Sequence, residues 1–285
     1  VGFTEPYFLD KDVSAGIDLF RTERDNTDES SFTSKRFGFG LRLGYEINEE
    51  WSQGLRYLLR RDEIDEVDSD ASLFIRQQEG KATTSLIGQD LILDLRNNKQ
   101  APTDGFLMKL TTDFSGLGGD TRYVRAKANS SVYYQIANGW VVTVGGEVGH
   151  IQGLGKDIRI NDRFFLGGDN LRGFEVSGVG PRESGTSDAL GGKTMATGTA
   201  ELGFPLGLPE ELGFSGAVFT DIGTLINPED SGSNVLDVST PRVSAGIGLK
   251  WRSPFGPVRL DLALPIQKED FDKEEIVRFN FGTRF

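Results

Sequence analysis

The chain has 285 residues with 31 basic and 43 acidic side chains, and its net charge of −12 would repel nucleic-acid phosphates, so no nucleic acid is expected as a partner. Cysteine is absent, which removes disulfides and thiolate metal sites, and no stretch reaches the roughly 18 consecutive apolar residues of a membrane helix. A membrane β-barrel survives these exclusions because its strands are apolar only at alternate positions, which fits 37% hydrophobic residues, a mean hydropathy of −0.32 and 37 glycines against 10 prolines.

Period-two alternation predicts strands along the whole chain. Val1 to Phe8 reads as the tail of one strand, and 12–21 as the next. From Arg36 to Tyr45 one face carries Phe37, Phe39, Leu41, Leu43 and Tyr45, and the other Arg36, Gly38, Gly40, Arg42 and Gly44. Further strands are predicted at 51–61, 83–96, 105–115, 120–136, 139–150, 194–204 and 212–223. From Arg242 to Trp251, Val243, Ala245, Ile247, Leu249 and Trp251 oppose Arg242, Ser244, Gly246, Gly248 and Lys250. Val258, Leu260, Leu262 and Leu264 then alternate with polar residues that include Arg259 and Asp261, and Val277, Phe279, Phe281 and Phe285 alternate with Arg278, Asn280, Gly282 and Arg284.

A soluble sandwich also alternates, so the polar face decides. It carries charged residues and glycines, while Trp51, Trp140, Trp251 and Phe285 sit at strand ends, as in a barrel with an apolar exterior, an aromatic girdle and a polar lumen. The expected fold is therefore all-β, a transmembrane antiparallel β-barrel forming one domain over 1–285. The predicted connections alternate short and long: 9–11, 22–34, 47–50, 62–82, 97–104, a short 116–119 that breaks the pattern, 137–138, 151–193, 205–211, 224–240, 253–256 and 266–275. Short turns on one side and long loops on the other assign the periplasmic and external ends. The count is about twelve complete strands plus a partial one, and a bacterial barrel has an even number, so further strands are expected upstream.

Connection 151–193 is too long for a hairpin and rich in glycine, which suggests a loop with its own packing. Within it run Asn161-Asp162-Arg163-Phe164-Phe165-Leu166-Gly167-Gly168-Asp169-Asn170-Leu171-Arg172-Gly173-Phe174, then Gly180-Pro181-Arg182 and Gly191-Gly192. The block ending in Leu-Arg-Gly-Phe resembles the signature loop of BamA-like outer-membrane assembly factors, usually Val-Arg-Gly-Phe, with Leu171 a conservative departure. Glu5-Pro6-Tyr7-Phe8 resembles the Asn-Pro-Tyr-Phe strand end of that family, Phe219 to Gly223 its Asp-x-Gly strand, and Ser253-Pro254-Phe255-Gly256-Pro257 its Ser-Pro-x-Gly-Pro turn. These matches are ordered and span nearly the whole chain.

The resemblance implies a sixteen-strand barrel preceded by soluble POTRA domains, so those domains and the first three strands are expected before Val1. It also implies a loop folded into the lumen through Gly167, Gly168, Leu171, Arg172, Gly173 and Phe174, with Arg172 paired to the anchoring carboxylates Glu201 and Asp221. Glu201 lies between Ala200 and Leu202 and so faces the lumen if they face lipid; Asp221 shares a face with Phe219, which leaves its side open. A planar, permanently charged guanidinium suits such a site. Val277, Phe279, Phe281, Gly282 and Phe285 would form one side of a gate, and Phe285 resembles a C-terminal assembly signal.

No catalytic constellation stands out. His150, the only histidine, falls on the lipid-facing parity near a strand end, without partners for acid–base or metal chemistry. The run Asp62, Glu63, Asp65, Glu66, Asp68 and Asp70 could meet divalent cations but reads as a solvated external loop. No enzyme, cofactor or metal is expected. The implied function is outer-membrane protein assembly, with client outer-membrane proteins, accessory lipoproteins and outer-membrane lipids as partners, acting through a seam between the first and last strands. The alternative is a pore or exporter, either a porin or a two-partner secretion translocator.

Overall fold

A computed structural model describes residues 1–282. The strands in chain order are β1 (Gly2–Glu5), β2 (Val13–Asp25), β3 (Thr33–Glu46), β4 (Trp51–Asp65), β5 (Gly80–Asp94), β6 (Gly105–Gly119), β7 (Tyr123–Ala137), β8 (Trp140–Gly153), β9 (Gly173–Phe174), β10 (Arg182–Glu183), β11 (Thr194–Pro205), β12 (Phe214–Ile226), β13 (Val235–Leu236), β14 (Arg242–Ser253), β15 (Gly256–Gln267), β16 (Glu274–Glu275) and β17 (Val277–Phe281). Thirteen of them form one antiparallel meander in the order β1-β2-β3-β4-β5-β6-β7-β8-β11-β12-β14-β15-β17. Short pairs β9–β16 and β10–β13 tie the external loops together.

The alternation that identified the strands sorts their side chains onto two surfaces. Ile17, Phe37, Val144, Ile247 and Leu262 are each more than two-fifths exposed on the outer face, as expected where hydrocarbon is the solvent. The inner face is an ion-pair lattice. Arg56 Nη1 bonds Asp90 at 2.7 Å, Arg125 Nη2 bonds Asp113 at 2.7 Å, and Lys127 reaches Glu147 at 2.8 Å. Val144→Arg, near the middle of β8 on the outer face, is expected to cost about 2–4 kcal/mol in vesicle-based denaturant unfolding. A variant as stable as wild type would mean that this face does not contact hydrocarbon.

At the short-turn end, the tryptophans make a rim. Trp140 stacks on Phe204 with centroids 5.4 Å apart, Trp251 stacks on Phe214 at 5.3 Å, and the indole N–H of Trp251 bonds the Leu212 carbonyl at 3.0 Å. An apolar ring with a satisfied polar edge suits an interface between lipid and water.

The long-loop end departs from the sequence reading, because several strands run farther outward than their apolar pattern. The strands β2 and β3 stay paired out to Asp25↔Thr33, so their connection is 26–32 instead of 22–34. The strand β4 continues through Asp65, and Asp62 is buried between Arg36 at 2.7 Å and Arg60 at 2.8 Å; this carboxylate belongs to a paired wall, not to a solvated loop. Likewise β6 extends through Gly119, which moves its connection to 120–122. Beyond the bilayer a strand needs no lipid-facing alternation, so hydropathy cannot mark where it ends.

Above the sheet the connections share a second core. Phe32, Ile64, Ile75, Ile160 and Leu190 are buried together, with Phe74, Phe165 and Val235 against them. Asp188 of the long connection 154–193 accepts from Ser31 Oγ and the Ser72 amide, both at 2.7 Å. The Ala189 amide bonds the Glu29 carbonyl at 2.9 Å.

Candidate functional site

The descending part of connection 154–193 turns sharply at Gly167 and Gly168. Asn170 sets the turn: its Oδ1 accepts from the Gly167 amide at 2.8 Å, and its Nδ2 donates to the Phe165 carbonyl at 3.1 Å. Gly167 has φ +122°, and a Cβ there would overlap the Glu175 carbonyl, so a side chain is excluded twice over. Leu171 and Phe174, both fully buried, join Leu166, Val179, Met195 and Leu225 in an apolar cluster inside the sheet. Leu171 and Arg172 therefore divide the work: one fills the cluster while its neighbour reaches the charged wall.

Arg172 meets that wall at β11 and β12. Its Nε and Nη2 donate to Asp221 Oδ2 and Oδ1, both at 2.6 Å, in a two-pronged fork. Nη1 donates to Glu201 Oε2 at 3.0 Å and Nη2 to Thr199 Oγ1 at 3.1 Å. The guanidinium carbon lies 3.4 Å from the centroid of Phe219. Antiparallel register builds this patch, since Thr199 opposes Asp221 and Glu201 opposes Phe219. The next strand makes room with a glycine: Gly246 opposes Phe219, and a Cβ there would stand 2.6 Å from the ring.

The parity question at Asp221 is thus answered. Phe219 and Asp221 both point inward, at 5% and 4% exposure, whereas Val218 and Ile222 are outside at 41% and 47%. Phe219 is an aromatic residue on the polar face because a flat ring beneath a guanidinium stabilises it while excluding water.

Three further residues complete the cluster and were not singled out from sequence. Lys250 on β14 pairs with Glu201 Oε1, Arg259 Nη2 on β15 donates to Glu201 Oε2 at 2.7 Å, and Arg259 Nε donates to Asp261 Oδ2 at 2.6 Å. Their signal was available: the Ser253-to-Pro257 turn sets Ser253 opposite Gly256, which places Lys250 opposite Arg259. Arg172, Glu201, Asp221, Arg259 and Asp261, together with Lys127, Glu147 and Asp113, line a cavity of about 1400 Å³ that extends to the short turn at 47–50.

The terminal residues occupy the edge of the sheet. Val277, Phe279 and Phe281 are 54–66% exposed on the outer face and pair only with β15 among the described residues. The Gly282 amide bonds the Pro257 carbonyl at 2.9 Å. Phe285, expected to end the gate, lies outside the described residues. Just upstream, beyond the spanning segment, Glu274 hydrogen-bonds the Lys268 ammonium and holds it above the ordinary lysine range. His150 is exposed near the end of β8, its Nδ1 2.8 Å from Thr194 Oγ1.

Against known proteins, the Omp85 superfamily domain matches residues 1–285. The outer membrane protein assembly factor BamA of Neorickettsia risticii (strain Illinois) is 31% identical over 287 residues, covering 99% of this chain and 38% of the relative. The solved structure of BamA from Haemophilus ducreyi lacking POTRA domains 1–3 superposes with a TM-score of 0.85 at 23% identity, over 98% of this chain and 60% of that one. CdiB from Acinetobacter baumannii gives a TM-score of 0.58 at 13% identity, over 93% of this chain and 46% of that one. This chain therefore spans well under half the length of the Neorickettsia relative.

Proposed function

Since the chain belongs to the Omp85 superfamily, with outer membrane protein assembly factors among its relatives, we propose that it is the membrane-embedded part of such a factor and that it inserts and folds client β-barrels in the outer membrane. The observation that carries this reading is the family match over the full chain, joined to an edge strand, β17, paired on one side among the described residues. A strand edge presents unpaired N–H and C=O groups, and inside a membrane those groups must find partners. A client strand can supply them by β-augmentation at the seam between the first and last strands of the whole barrel. The residues Val277 to Gly282 then act as one side of the gate, while Arg172 with Glu201 and Asp221 holds the loop in the lumen. Client outer-membrane proteins, accessory lipoproteins and outer-membrane lipids are the partners of this reading, in which no bond of the client is made or broken.

The test is client insertion by the whole protein in liposomes, with a cysteine pair placed across the seam. Oxidation is expected to abolish insertion and reduction to restore it; insertion that ignores the crosslink overturns the seam mechanism. The second reading is a pore or secretion translocator, because one barrel fold can serve either task. In planar bilayers a lumen occupied by loop 154–193 should conduct little, and a large steady conductance would favour the pore.

A further inference from the structure

The strand β17 is held to the sheet by a short ladder. Its described pairing with β15 runs from Val258↔Phe281 to Leu262↔Val277, whereas β14 pairs with β15 from Val243↔Gln267 to Ser253↔Gly256. The external half of β15 receives one more bond, from the Ala263 amide to the Ile276 carbonyl at 2.9 Å, and Pro265 beyond it has no N–H to offer. At that point the chain upstream of β17 leaves the sheet and pairs with the lumen motif. Glu274 and Glu275 oppose Phe174 and Gly173, the Glu175 amide bonds the Lys273 carbonyl at 3.0 Å, and the Lys273 amide bonds the Gly178 carbonyl at 3.0 Å.

A side chain repeats the connection. Arg278 faces the lumen opposite Asp261, yet its guanidinium turns toward the motif. Nη1 reaches Asp169 Oδ1 at 3.2 Å, and Nη2 pairs with Glu275. A Cβ on Gly168 would stand 3.1 Å from Nη2, so the guanidinium lies directly against the motif turn. Arg278 is only 13% exposed, which limits solvent screening of these pairs.

We propose that Arg278 is a positioning residue: together with the β9–β16 pairing it latches β17 to the motif loop, so that seating of the loop in the lumen sets how firmly the edge strand is docked. The bearing of this latch on client insertion rests on the assembly-factor reading; the latch itself does not. A strand with few ladder bonds takes much of its stability from whatever clamps its end. Loosening the clamp raises local opening of β17 without unfolding the wall.

Hydrogen exchange of the whole protein in lipid nanodiscs tests it. Arg278→Gln is expected to speed exchange of segment 274–281 about tenfold while leaving β3, β4 and β5 unchanged. Arg278→Lys, which keeps the charge but not the fork, should restore part of the protection. Asp169→Asn, which removes one carboxylate partner of Arg278 and keeps Glu275, should raise exchange of the same segment by a smaller factor than Arg278→Gln. Unaltered exchange in Arg278→Gln, or an equal rise in every strand, overturns the latch. Local loosening with client insertion at the wild-type rate would uphold the latch and remove its role in assembly.

Discussion

An Arg172→Ala variant is expected to lose about 3–5 kcal/mol of stability, because removing one partner of a buried ion pair leaves the other charge uncompensated. The loss falls mainly on Asp221. Glu201 would keep Lys250 and Arg259, but Asp221 would be left with two neutral donors, the Thr199 hydroxyl at 2.7 Å and the main-chain amide of residue 172 at 3.3 Å, in a position only 4% exposed. Arg172→Lys separates charge from geometry: an ammonium cannot hold both Asp221 oxygens while lying flat on Phe219, so it should recover roughly half of the loss. Leu171 and Phe174 remain in their apolar cluster, so the loop loosens without being expelled. Denaturant unfolding in detergent reads the stability, and hydrogen exchange of 167–174 reads the seating. An Arg172→Ala protein equal to wild type in both would remove the idea that this contact anchors the loop.

The strands that cross the bilayer were legible because hydrocarbon and water impose opposite demands on successive side chains. Phe37 to Tyr45 and Val243 to Trp251 show that contrast and fall within β3 and β14 as expected. The contrast vanishes where strands project beyond the lipid. There β4 carries Asp62, Glu63 and Asp65, residues that read as loop until pairing with Arg36 and Arg60 explains the buried Asp62. The patch around Arg172 was legible in part. Two carboxylates could be named from motif resemblance, but Phe219 was ambiguous because one strand does not reveal which parity holds an aromatic inside. Its partners across the sheet resolve the ambiguity: Glu201 on β11 and Gly246 on β14 leave the ring a place only on the lumen side. The connection from motif to terminal strand was not legible at all. It depends on main-chain pairing of Gly173 and Phe174 with Glu275 and Glu274, about a hundred residues along the chain, and main-chain pairing leaves no side-chain signature.

The cluster is balanced, with Arg172, Lys250 and Arg259 against Glu201, Asp221 and Asp261, and this balance predicts a non-additive result. Glu201 touches all three cations, so Glu201→Gln keeps the shape of the side chain and leaves three positive charges facing two negative ones. The expected cost is about 3 kcal/mol, the low end for a broken buried pair because the patch borders a water-accessible cavity. Lys250 is the most exposed of the three cations, at 37%, and Lys250→Met alone should cost no more than about 1 kcal/mol. Combining the two restores two charges against two. The double variant should therefore be more stable than Glu201→Gln by roughly 1–2 kcal/mol, although it carries one more substitution. Unfolding all four proteins under one set of conditions measures the coupling. If the Lys250→Met cost simply adds to that of Glu201→Gln, the three cations do not share Glu201, and the lumen wall is a row of independent pairs instead of one electrostatic unit.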